Sequence, residues 1–140
     1  MSITGDLLFK GTVEWLSKGL DAASLRQQVI AENLANVETP GYKRKTVEFE
    51  AELQKAIKRP QKLQLECTHP RHISGLKNSG TLEPTIKCDR STSMRNDGNN
   101  VDLEGEMASL AANALTYRAL LQQLDSKLSR LRTVINEGRR

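Results

Sequence analysis

Apolar residues in the last third of the chain recur in alternating steps of four and three: Leu103, Met107, Leu110, Ala114, Tyr117, Leu121, Leu124, Leu128, Leu131 and Ile135. That spacing is a heptad seam, the pattern of a helix packed lengthwise against another helix. Asn99, Asn100 and Asp102 supply capping side chains ahead of it, and Glu104 and Glu106 complement the positive end of its dipole. Arg130, Arg132, Arg139 and Arg140 suit the opposite end. No proline interrupts the run, so the spacing predicts a helix over about 103–136, roughly 50 Å long at 1.5 Å per residue. The first third carries a matching seam of Leu16, Leu20, Ala23, Gln27, Ile30, Leu34 and Val37, in which Gln27 is the polar member. This predicts a second helix, firmest over 20–36 and extending back toward residue 6 past Gly19, Gly11 and Gly5. Thr39-Pro40-Gly41 ends it, because proline disfavours helical geometry in the residue before it and glycine accepts the positive φ of a type II turn.

Between the seams the pattern changes. All four prolines, Pro40, Pro60, Pro70 and Pro84, lie here, with turn-rich stretches at 77–80 and 96–100. One short amphipathic helix is expected over about 47–58, with Phe49, Leu53, Ala56 and Ile57 on one face and Pro60 as its stop. A small hairpin pairing 63–65 with 85–87 completes the expected structure. The predicted organisation is therefore one structural unit of mainly α class. An N-terminal helix (1–37) and a C-terminal helix (101–140) pair as a coiled-coil-like hairpin, joined by a loop-rich connecting segment (38–100). Leu25 and Val29 on one helix, and Leu115 and Leu120 on the other, fall off the seams and stay partly wet in a two-helix pairing. A free-standing bundle needs a third long helix that the middle does not offer, so the pattern favours a chain stabilised in an assembly.

Composition supports that expectation. Only 37% of the 140 residues are hydrophobic and 4% aromatic, the rings being Phe9, Trp15, Tyr42, Phe49 and Tyr117. This is too little material for a thick core. The mean hydropathy of −0.54 and the lack of a long apolar run argue against a membrane span. The N-terminus also lacks the basic start and apolar core of a cleaved secretory signal.

The net charge of +4 belongs to the middle segment, where residues 38–100 hold twelve of the 21 Lys and Arg but eight of the 17 Asp and Glu. Its one tight cluster, Lys43-Arg44-Lys45, has only Tyr42 beside it for base stacking, so no nucleic-acid partner is expected. Cys67, His69, His72 and Cys88 are possible zinc ligands, but their order matches no standard zinc spacing. Incidental thiols, or a disulfide closing a loop of about 20 residues, are the other readings. The sequence shows no nucleophile elbow, phosphate loop or metal-binding helix motif, so neither catalysis nor a cofactor is expected.

Two runs go further than periodicity. Ala31-Glu32-Asn33-Leu34-Ala35-Asn36-Val37-Glu38-Thr39-Pro40-Gly41-Tyr42-Lys43 closely resembles the signature near the N-terminus of bacterial flagellar rod and hook proteins, where an A-x-N-L-A-N helix end meets T-P-G-Y-K. Gly98-Asn99-Asn100-Val101-Asp102-Leu103-Glu104-Gly105-Glu106-Met107 resembles the G-N-x-V-D-x-x-x-E-M entry to their C-terminal helix, and 112–117 continues in the same manner. The short length and the continuation Thr46-Val47-Glu48-Phe49 are similar to the proximal rod members. Glu38, Cys67 and Cys88 depart from the pattern.

The resemblance implies a structural subunit of the basal-body rod in the periplasm. Such a subunit polymerises through its terminal helices, transmits torque and lines the export channel for flagellum-dependent motility. It also implies export from the cytoplasm by the flagellar type III system without a cleaved signal peptide. The implied partners are copies of itself, other rod proteins (FlgC and related), the FliE adaptor, and membrane-ring and export-gate proteins. On that basis Asn33, Leu34, Ala35, Asn36, Thr39, Pro40, Gly41, Tyr42, Val101, Asp102, Glu106 and Met107 are the candidate assembly motif. The amides of Asn33 and Asn36 share a helix face and are expected to bond carbonyls at the helix end or to reach a neighbour, and Tyr42 to anchor the segment after the turn. The alternative is a cytosolic helical adaptor or oligomerisation module.

Overall fold

The computed structural model describes residues 3–58, 83–91, 93 and 96–138. Among these residues five elements follow one another: α1 (Ile3–Ala35), β1 (Lys45–Glu48), α2 (Glu50–Lys58), β2 (Thr85–Cys88) and α3 (Leu103–Glu137). The two long helices pair, and the pairing is antiparallel. Asn33 on α1 meets Glu106 at the start of α3, Ala23 meets Asn113 a little further on, and Gly19 meets Leu120 beyond that. Gly19 packs against the Leu120 side chain, whose Cδ1 would lie 3.4 Å from a Cβ at that position, an ordinary van der Waals contact.

The ends of α3 follow local chemistry. Asp102, in extended conformation, caps the helix by accepting the Glu104 backbone N–H at 3.1 Å. Glu104 and Glu106 stand in the first turn, but the last turn holds no Lys or Arg: Arg130 and Arg132 precede it, and Arg139 and Arg140 lie outside the described residues. The expected cationic end is thus not formed by the helix's own last turn.

The middle segment is more ordered around α1 than its composition suggested. Residues 45–48, partly assigned to the short helix from sequence, form β1 instead, and α2 starts only at Glu50. Val47 and Phe49 explain the change. Both are buried, and strand geometry from 45 to 48 lets the chain run past α1 before Phe49 turns it into α2, where the Leu53 N–H donates to the Phe49 carbonyl at 2.9 Å. The other strand, β2, covers the 85–87 arm of the expected hairpin. β2 pairs antiparallel with β1, in register Lys45↔Cys88 and Val47↔Ile86, and the 63–65 arm lies outside the described residues.

Among the described residues the apolar core is small. Ala22 and Phe49 form its buried cluster with Leu53 packed against it, and Ala23, Val29, Ile30, Val47 and Val101 are the other buried apolar residues. Val29 shares the face of α1 that carries Ala22 and Asn33, so it is covered, contrary to the expectation that it stays wet. Leu120, on Gly19, is half-buried, whereas Leu115 is exposed.

Placement of the α1 seam is uneven. Ala23 and Ile30 are buried, Leu16, Leu20, Leu34 and Val37 half-buried, and Gln27 exposed. On α3, Leu110, Tyr117, Leu124 and Leu131 are half-buried, while Leu103, Met107, Ala114, Leu121, Leu128 and Ile135 are exposed. The face of α3 turned to α1 instead includes Glu106 and Asn113, its two buried residues. Four of the ten α3 seam residues face α1, and the other six form an open apolar column.

Candidate functional site

Two features stand out, a buried polar clasp where the helices meet and the open column on α3. The clasp is built from the loops at both ends of the connecting segment. After α1, Thr39-Pro40-Gly41-Tyr42 makes a tight turn in which the Tyr42 N–H donates to the Thr39 carbonyl at 3.3 Å. Gly41 has φ of 72° and Gly98, across from it, 83°, conformations that favour glycine at both points. The two turns abut, with the Gly41 N–H donating to the Asp97 carbonyl at 2.9 Å.

Asn33 is fully buried and every bonding site on its amide is used. Its Oδ1 accepts the Lys45 N–H at 3.0 Å and the Tyr42 hydroxyl at 3.3 Å, while its Nδ2 donates to the Lys45 carbonyl at 2.8 Å and Glu106 Oε2 at 3.1 Å. The side chain of a helical residue thereby pairs with the backbone of β1 as a strand neighbour would. Glu106, 1% exposed, holds its other oxygen against the Arg44 Nε. A carboxylate so deeply placed requires both partners.

Asn99 and Asn100 complete the clasp. The Asn99 Nδ2 lies 3.1, 3.0 and 3.0 Å from the carbonyls of Asn36, Val37 and Thr39, so it caps the end of α1, and its Oδ1 accepts the Val101 N–H at 2.7 Å. Asn100 accepts the Arg44 N–H at 2.7 Å and donates to the Asp89 carbonyl at 3.0 Å. Sequence reasoning assigned both to the start of α3, where only Asp102 serves. Lys43 Nζ reaches the Gly98 carbonyl at 2.7 Å. The basic cluster is therefore occupied: Lys43, Arg44 and Lys45 all bind within the chain, Lys45 through Glu32 at 2.8 Å.

Titration behaviour follows these contacts. Burial pushes the Tyr42 hydroxyl above its ordinary value, with Lys45 acting against it, and the hydrogen bond to Glu32 raises Lys45. Hydrogen bonds from the Ser91 side chain and backbone lower Asp89.

The remaining candidates sit around this frame. Asn36 donates to the Glu32 carbonyl of its own helix at 2.8 Å and accepts from Thr39, while Ala35, Thr39, Pro40 and Gly41 are exposed. Val101 is buried, Asp102 is the exposed cap and Met107 lies in the open column. Glu106, assigned from sequence to the helix dipole, is turned inward. Arg44, Lys45 and Asn113 were missed because a cation in a basic run or an asparagine within a helix carries no sign that its partner lies far along the chain.

The Cys88 thiol is free and exposed; Cys67, His69 and His72 lie outside the described residues. Among the described residues no group of acidic, Cys or His side chains could hold a metal ion, and no helix is long and apolar enough to cross a membrane.

Comparison with known proteins gives the clasp a family. The model of the family described as flagella basal body rod protein matches residues 16–43, the half of α1 that carries Asn33 together with the turn after it. The flagellar basal body rod protein FlgB of Borrelia hermsii is 42% identical over 114 residues, covering 79% of this chain and 84% of the relative. The FlgB of Bacillus subtilis strain 168 is 36% identical over 132 residues, covering 94% and 98%. The chain belongs to the FlgB family of flagellar basal body rod proteins. The FlgB of Escherichia coli strain K12, at 30% identity, also spans most of both chains, covering 86% and 90%.

Proposed function

We propose that this chain is a structural subunit of the flagellar rod, placed in its proximal part, that polymerises through its terminal helices, transmits torque and helps line the export channel. The supporting observation is the open column on α3. Met107 is 54% exposed, Leu121 42%, Leu128 49% and Ile135 65%, on one side of a 35-residue helix whose other side is already paired. An apolar stripe of that length on a chain with so small a core fits a surface that neighbouring helices cover. The covering partners are copies of the chain and rod proteins such as FlgC, with the FliE adaptor, membrane-ring and export-gate proteins at the base. Its location is the basal body in the periplasm, reached by type III export without a cleaved signal peptide.

Replacing Leu121 and Leu128 together by Asp tests this. Because both side chains are half-exposed or nearly so in the single chain, the helical signal of the purified variant should persist. In a strain lacking the natural protein, however, the variant should fail to enter isolated basal bodies and fail to restore motility. Normal incorporation of a folded Leu121→Asp, Leu128→Asp chain would overturn the assembly role of the column. A chain found only in the cytosol would favour a helical adaptor.

A further inference from the structure

Two sets of residues on α3 compete to face α1. Both contain Leu110, Tyr117, Leu124 and Leu131; one adds Met107, Ala114, Leu121 and Leu128, the other Glu106, Asn113, Leu120 and Lys127. Successive residues on a helix are turned by about 100°, and because the two sets share four members the choice is a rotation of α3 about its own axis by roughly 50°. Apolar burial favours the first set, which places three large apolar side chains where the second places one. The structure takes the second. Glu106 and Asn113 are 1% and 4% exposed, and Met107, Leu121 and Leu128 face outward.

Hydrogen bonds to α1 distinguish the chosen set. Glu106 accepts from the Asn33 amide at 3.1 Å, and the Asn113 Nδ2 donates to the Ala23 carbonyl at 2.8 Å. Met107 and Ala114 in those places offer neither bond, and the rotation also takes the carboxylate away from Arg44. Contacts at two levels of the pair fix rotation and register together. Polar groups buried in a helical seam commonly set register at some expense of stability. That expense is visible at Asn113, whose Oδ1 is buried without a hydrogen-bond partner among the described residues.

We infer that Asn33, Glu106 and Asn113 are positioning residues that lock the rotational setting of α3 on α1, and that this lock keeps the Met107, Ala114, Leu121 and Leu128 column outward. The lock belongs to the single chain and does not depend on what covers that column. Thiol labelling reads it directly. In the full chain with Cys67→Ser and Cys88→Ser, a reporter Ala114→Cys lies on the outward column, and a control Ala112→Cys lies on the exposed back of the helix in either setting.

With the lock intact, a maleimide should label both thiols at similar rates. Adding Glu106→Leu and Asn113→Leu should let α3 turn and slow the Ala114→Cys reaction about tenfold relative to the control. Asn113→Leu alone should slow it by less, and Glu106→Gln with Asn113 intact should restore fast labelling. If both thiols stay equally reactive in a helical double-leucine chain, shape alone sets the rotation and the inference is overturned. Loss of the helical signal in the double-leucine chain would also overturn it, by showing that the polar pair holds the helices together instead of choosing their setting.

Discussion

A buried asparagine is stable only when its amide is satisfied, and Asn33 reaches that condition by bonding a strand, a tyrosine and a carboxylate at once. Removing either end of this set leaves groups that water cannot reach. Asn33→Leu strands the Lys45 backbone and one oxygen of Glu106, and Arg44→Met leaves the 1% exposed carboxylate without its cation. Each should lower stability by about 2–4 kcal/mol, the range for unpaired buried polar and charged groups. Urea unfolding followed by circular dichroism measures the loss. Lys45→Met, which removes the exposed pair with Glu32 and the ammonium 6.0 Å from the centre of the Tyr42 ring but leaves the backbone bonds to Asn33, is the comparison and should cost under about 1 kcal/mol. Equal losses in all three variants would show that the clasp contributes nothing beyond surface pairing.

At the scale of elements, the long helices were legible because heptad spacing is a local property of sequence. The predicted C-terminal helix over 103–136 ends one residue short of the observed Leu103–Glu137. The facing of α3 was not legible. Apolar periodicity points to Leu121 and Leu128, and only the distant partners of Glu106 and Asn113 turn the helix away from them. The strand at Lys45–Glu48 was hidden for a similar reason, since its pairing with β2 joins residues about forty positions apart. The Thr39-Pro40-Gly41-Tyr42 turn was legible because proline and glycine act on their own backbone.

One link between elements responds to pH. Arg26 on α1 bonds Glu50 at the start of α2. Burial acts against ionisation of Glu50, but its own backbone N–H and the Arg26 guanidinium outweigh burial and hold it below the ordinary 4.5. A carboxyl lowered on folding stabilises the fold above its unfolded value, and that contribution is lost as pH falls below about 4.5 through the folded value. Arg26→Gln should therefore lower the melting temperature at pH 6, with the difference from the natural chain shrinking by pH 3. A difference unchanged between those two pH values would show that Arg26 acts through packing alone.

Across the molecule, the stabilising contacts among the described residues are concentrated at one end of the helical hairpin. The clasp, the two-stranded sheet and the Phe49 cluster all gather around the C-terminal half of α1 and the start of α3, and beyond Asn113 no α3 residue is buried. Local opening is easiest where buried contacts are few, so hydrogen exchange should divide the single chain in two. Amides around Asn33, Lys45, Val47 and the first turns of α3 should exchange slowly, and those of α3 beyond Leu124 about a hundredfold faster. In assembled rods the proposed covering of the open column should make the distal half slow. Uniform protection along α3 in the dilute chain would mean that pairing with α1 alone orders the helix, leaving assembly little to stabilise. A distal half that stays fast in the rod would place the covering contacts elsewhere on the molecule.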